Sequence, residues 1–111
     1  MNIQIITQPI TRGETRKIAE EFYVDMVKGV VDLERGVIAL GGEWHIDASN
    51  LLIEDGSKQD DVWGFNFYPY ENTIHFTSLI NIRPSQNNRA IEIQDENIRQ
   101  QMEKIIRRLI I

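Results

Sequence analysis

The run from Asn81 to Arg89 is the densest set of anion-binding side chains in this sequence. Arg83, Arg89, Asn81, Asn87, Asn88, Ser85 and Gln86 fall within nine residues. Guanidinium forks and amides recognise phosphate and carboxylate groups, and loops held by a rigid sheet are where such sites commonly sit. The same residues have an internal use: Arg83 and Arg89 can pair with this chain's own acids while Asn87-Asn88 make a turn. Sequence alone leaves both uses open. The ligand-binding candidates are therefore Asn81, Arg83, Ser85, Gln86, Asn88 and Arg89, together with Glu54 and Asp55 from the acidic segment expected to face them.

That segment sets Glu54, Asp55, Asp60 and Asp61 around Gly56-Ser57-Lys58-Gln59. Clustered carboxylates beside a glycine suggest calcium, but the spacing of a 12-residue calcium loop is absent. A solvated loop is the simpler reading. Glu43, His45 and Asp47 alternate, so on an extended strand all three would point the same way and could offer nitrogen and oxygen ligands to a metal, with His75 as a fourth. A histidine hydrogen-bonded at a strand edge is the competing account, and the sequence calls for no metal or cofactor. No GxSxG, HExxH, GxxxxGK[ST] or GxGxxG pattern occurs. Those absences count against a familiar enzyme without excluding one.

The elements that must position these groups follow from periodicity. Residues 2 to 7 read as a strand stopped by Pro9. Thr11 and Glu14 have capping-box spacing, and Ile18, Phe22 and Met26 would form the apolar stripe of the helix that follows. Val27, Gly29, Val31 and Leu33 then alternate with Lys28, Val30 and Asp32, and Glu34-Arg35-Gly36 turns the chain into Val37 to Leu40. Between residues 43 and 61 a short helix capped by Asp47 or Ser49, running through Leu51 to Ile53 and ended by Gly56, is slightly preferred to a strand.

Trp63, Phe65 and Phe67 alternate with Gly64, Asn66 and Tyr68, as a core strand requires. Residues 69 to 72 turn. Ile74 to Ile82 reads as one long strand with an apolar and a polar face, implying a sheet covered by helices on one side and partly wet on the other. Ala90 to Ile93 is placed to resume it. Asp95 opens the last helix, in which Ile98, Met102, Ile105 and Leu109 recur at helical spacing and Arg107 and Arg108 lie in the final turns.

With 111 residues and 41% hydrophobic side chains the chain is long enough for one core, so one domain over residues 1–111 is expected. There is no cysteine, which removes disulfides and thiolate chemistry. No signal peptide or membrane-length apolar run is visible, so the expected location is cytoplasmic. The net charge of −5 disfavours a nucleic-acid partner. It is unevenly spread: residues 43–72 hold seven acids and one base, whereas residues 73–111 hold four acids and six bases. The two regions are expected to face each other, within the fold or across a homodimer.

Asp25-Met26-Val27-Lys28, Gly41-Gly42-Glu43, Glu54-Asp55-Gly56-Ser57, Trp63-Gly64 and, most specifically, Asn81-Ile82-Arg83-Pro84-Ser85-Gln86-Asn87-Asn88-Arg89 resemble a family of short prokaryotic proteins of unknown function. The likeness spans nearly the whole chain. It implies a bacterial or archaeal cytosolic setting and supplies no activity, cofactor or catalytic residue. The expected architecture is α+β, a mainly antiparallel sheet of about five strands with the two long helices packed on one face. The expected function is a small binding or interaction module, taking a small ligand or a protein partner where the Arg83–Arg89 loop meets residues 43 to 61. Two alternatives stand beside it: a small hydrolase, metal-dependent or not, using Glu43, His45 and Asp47 or the acidic loop, and one half of a bacterial toxin–antitoxin-like regulatory pair.

Overall fold

Asp32 fixes the first hairpin. Its Oδ1 accepts from the backbone N–H groups of Glu34 and Arg35, at 2.9 and 3.0 Å, and Gly36 closes the turn at φ +68, where a side chain would be strained. The strands it joins, β2 (Val27–Asp32) and β3 (Val37–Leu40), form the middle of the sheet. A computed structural model describes residues 2–111; Met1, first residue of the expected domain, lies outside them.

Around this hairpin stand β1 (Gln4–Ile6), β4 (Val62–Tyr68) and β5 (Thr73–His75), giving one sheet of order β1-β3-β2-β4-β5 with every pairing antiparallel. Three helices accompany it: α1 (Arg12–Ala19), α2 (His45–Glu54) and α3 (Glu96–Leu109). The class is α+β, as the sequence reading expected.

Strand alternation divides the core into two. On one face Val27, Val31, Ile38, Leu40, Trp63, Phe65 and Phe67 pack under Ala19 of α1 and Met102, Ile106 and Leu109 of α3. The first and last helices thus lie on one face, as expected, although α1 with eight residues is shorter than α2 with ten. Gly29 is required there, because a Cβ would run into the Phe65 ring. On the opposite face Val30, Val37, Ala39 and Val62 pack beneath Ala48 and Leu52 of α2. The second face, expected to be partly wet, is covered over much of its area by a third helix. That helix starts at His45 behind Trp44, which supplies no side-chain cap, so neither Asp47 nor Ser49 caps it; Gly56, at φ +113, does follow its end.

Two further expectations need revision. The stripe Ile18–Phe22–Met26 is cut short because α1 ends at Ala19, whose carbonyl accepts from both Tyr23 and Val24 N–H. Val24 then sits at φ +64, unusual for a β-branched residue, and Phe22 is left exposed. The long strand Ile74–Ile82 does not exist either. The chain leaves β4 after His75, pairs Thr77 with Glu92, and turns through a 3₁₀ segment at Leu79–Asn81.

Past that point the edge of β4 is completed by a side chain. Gly64 N–H donates to Asn81 Oδ1 at 2.9 Å, and Asn81 Nδ2 donates back to Gly64 O at 3.1 Å. The amide reproduces the pair of bonds a neighbouring strand would make. Gly64 allows the approach: a Cβ there would lie 2.6 Å from Ser78 Cβ and 3.1 Å from Ile80 Cγ1. Removing the amide strands two buried backbone groups, so Asn81→Ala is expected to lower stability by about 2–4 kcal/mol in urea unfolding. A loss under about 0.5 kcal/mol, the range of inert surface changes, would show that the edge is satisfied some other way.

Candidate functional site

The Arg83–Arg89 segment is a small hairpin. Arg83 and Asn88 exchange backbone hydrogen bonds at 2.6 and 3.0 Å around the Pro84–Gln86 turn, and Asn87 takes the left-handed conformation at φ +61. Its amides are largely spent inside the fold. Asn81 is fully buried and also donates to Ile91 O. Asn88 is buried too; its Nδ2 faces the carbonyls of Asn81, Ala90 and Glu92 at 2.6, 2.8 and 3.2 Å, and its Oδ1 accepts from Gln94 N–H. Both side chains tie down the irregular stretch between β5 and α3.

Arg83 stacks over the Trp63 ring at 5.0 Å and donates through Nε to Ile80 O. Burial lowers its pKa while Asp60 opposes that shift. Gln86 Nε2 donates to Asp60 O at 3.0 Å. The loop therefore meets the acidic segment at Asp60. Asp55 instead pairs with Arg35 at 2.7 Å, and Glu54 is exposed on α2. Ser85 and Arg89 are exposed, and their side chains make no hydrogen bond among the described residues.

Glu43, His45 and Asp47 do not share a strand face, because the helix begins at His45 and rotates successive side chains apart. Among the described residues no group of three His, Asp or Glu side chains could hold a metal ion.

A different arrangement emerges on the second face of the sheet. Lys28 of β2 lies opposite Asn66 of β4, and Asn66 lies opposite His75 of β5, making a polar row beyond the end of α2. The first turn of α2 and residues 77–80 stand on either side of an open pocket of about 300 Å³. Lys28, His45 and Asn66 supply its polar floor; Trp44, Ile46, Leu79, Ile80 and Ile91 supply apolar walls. Of the ten large apolar side chains exposed among the described residues, Trp44, Ile46, Leu79 and Ile91 all line this one pocket.

His45, only 8% exposed, holds Nε2 at 2.9 Å from Phe65 O and 2.8 Å from Asn66 Oδ1. Both neighbours are acceptors, so Nε2 carries the proton and Nδ1 keeps its lone pair. Burial and the nearby Lys28 charge push the His45 pKa down to about 4, against the hydrogen bonds to Phe65 and Asn66. Lys28 is half-buried and its pKa is lowered by that burial. Its Nζ lies 5.1 Å from the Tyr23 ring centroid, and no carboxylate among the described residues forms an ion pair with it. The Tyr23 hydroxyl in turn donates to Glu43 O at 2.6 Å. A neutral imidazole, an unpaired ammonium and an amide beneath apolar walls make a recognition surface. They do not include a nucleophile held against a base.

None of these three residues was among the candidates for this role. Lys28 and Asn66 were named only as alternating strand positions, and His45 only as a metal or hydrolase candidate beside Glu43 and Asp47. The available signal was Trp44-His45-Ile46, two large apolar residues flanking a histidine just after Gly41-Gly42.

Two measurements check this assignment. Arg83→Ala should cost about 1–2 kcal/mol by removing the Trp63 stack and a carbonyl bond, whereas Arg89→Ala should stay within about 0.5 kcal/mol. Because the folded-state pKa of His45 lies below its unfolded value, its contribution is complete above pH 6.5 and is lost as pH falls towards 4. The stability of wild type relative to His45→Gln should therefore shrink across that window, by up to about 3 kcal/mol. A gap that stays constant from pH 7 to 4 would mean the imidazole is not buried as described.

No curated protein and no solved structure matches this chain. A family model does, over residues 4–109 of the 111. The chain belongs to DUF5674, a family described as protein of unknown function.

Proposed function

We propose that this chain is a binding module that takes up a small molecule with an apolar body in the pocket between the first turn of α2 and residues 77–80. The observation that carries this reading is the convergence of Trp44, Ile46, Leu79 and Ile91, each 41–73% exposed, on a single concavity. Exposed apolar side chains scattered singly need no explanation, but several gathered around one pocket mark a place where something binds. The pocket volume, about 300 Å³, is at the small end of the range for ligand sites. A compact ligand suits it better than a large cofactor.

Binding is favoured over turnover by what the polar groups already do. His45 spends its proton on Phe65 O and Asn66 Oδ1, and the nearby Ser78 Oγ accepts from Ile80 N–H. Neither hydrogen-bonds the other. The hydrolase alternative built on Glu43, His45 and Asp47 loses the shared face it needed.

The neutral fluorescent probe N-phenyl-1-naphthylamine tests the pocket directly. Its emission should rise with the wild-type protein, and Leu79→Asp should weaken binding at least tenfold. Leu79 is 73% exposed, so the thermal midpoint should hardly move. Equal binding by both proteins would overturn the reading.

A further inference from the structure

Lys28 raises a question of charge balance. A half-buried ammonium normally has a carboxylate beside it, since desolvation without a counter-charge is costly. Here Nζ faces the Tyr23 ring, the nearby His45 is neutral, and neither ion pair among the described residues involves Lys28. The Glu43 carboxylate acts on the far end of that tyrosine, where burial first and this charge second raise the pKa of the Tyr23 hydroxyl. The lysine nevertheless lines the pocket floor.

A second observation is independent of Lys28. The ten-residue helix α2 begins at the pocket, and its N-cap, Trp44, gives no side-chain hydrogen bond. The backbone N–H groups of His45 and Ile46 find no acceptor among the described residues. Uncapped amides at a helix start attract negative charge, and a helix normally satisfies them with a Ser, Thr or Asp side chain that is missing here. An ammonium without a counter-ion and a helix start without a cap thus border the same cavity.

We propose that the molecule taken up in this pocket carries a carboxylate, received by the Lys28 ammonium and the first turn of α2, with its hydrocarbon portion against Leu79, Ile80 and Ile91. One cation is matched by one negative charge. A phosphate dianion would call for more than the single lysine, because no arginine lines the pocket. The inference rests on the binding reading above and adds the chemical class of the ligand to it.

Octanoate, 1-octanol and octylamine share a hydrocarbon chain and differ in the head group, so calorimetric titration at pH 7.5 separates head from body. Octanoate should bind wild type at least tenfold more tightly than octanol, with octylamine weakest. In Lys28→Met that preference for octanoate over octanol should fall to threefold or less. Octanoate binding no better than octanol to wild type would overturn the carboxylate inference and leave the apolar pocket standing; this comparison does not depend on the variant folding. An unchanged preference in a folded Lys28→Met would overturn the role of the lysine. Failure of all three compounds to bind would remove the binding reading itself.

Discussion

The docking of the Asn81 amide on Gly64 is the contact on which the irregular half of this molecule depends. The partner strand of β4 ends at His75, so the β4 backbone beyond Asn66 would otherwise present unpaired groups to a buried environment. One primary amide has both a donor and an acceptor and satisfies both groups at once. That solution works only if the facing residue has no side chain and if the amide is held still. Gly64 meets the first condition. Asn88 meets the second by donating to Asn81 O while bonding the strand-like stretch at residues 90–94. Ser78, Leu79 and Ile80, which wall the pocket, are fixed as a by-product.

This arrangement explains why some elements were legible in the sequence and others were not. The last helix was legible, with the Asp95 carboxylate accepting from Asn97 N–H and Met102, Ile106 and Leu109 buried, because period, cap and length all agree there. The Glu34–Gly36 turn and the aromatic strand β4 were legible for the same reason. Residues 76 to 82 kept strand alternation, yet nothing in that pattern reveals that residues 91–93 pair with them while a side chain takes over at Gly64. Asn81 and Asn88 looked like ligand groups since a buried amide bonded to backbone and an amide bonded to a ligand have the same spelling. Lys28 and Asn66 were passed over as alternating strand positions, because covering the second face with α2 is a tertiary event that local periodicity does not encode.

The uneven charge distribution finds a partial explanation in the fold. The acidic middle and the more basic last third touch where Gln86 reaches Asp60 O and where Asp60 acts on the stacked Arg83. Asp55 is neutralised locally by Arg35 in a partly exposed pair of the kind worth little to stability. Two arginines of α3 also serve backbone: Arg107, besides its pairing with Glu103, reaches Asn72 O and Arg108 reaches Gly36 O, so the last turns of the helix grip two hairpin turns. Charge here does more to hold loops against the sheet than to pair acid with base.

The two outer strands, β1 and β5, are each three residues long. An unpaired strand edge is a template on which another chain can hydrogen-bond, and its danger grows with its length. The chain that follows β1 is tied to the terminus, as Ile10 N–H donates to Leu109 O and Ile111 N–H to Ile10 O. Next to β5 the Asn81 amide occupies the stretch of β4 that a foreign strand would otherwise extend along. Each outer edge thus offers a foreign strand a ladder of only three residues, a short template for the stacking of copies.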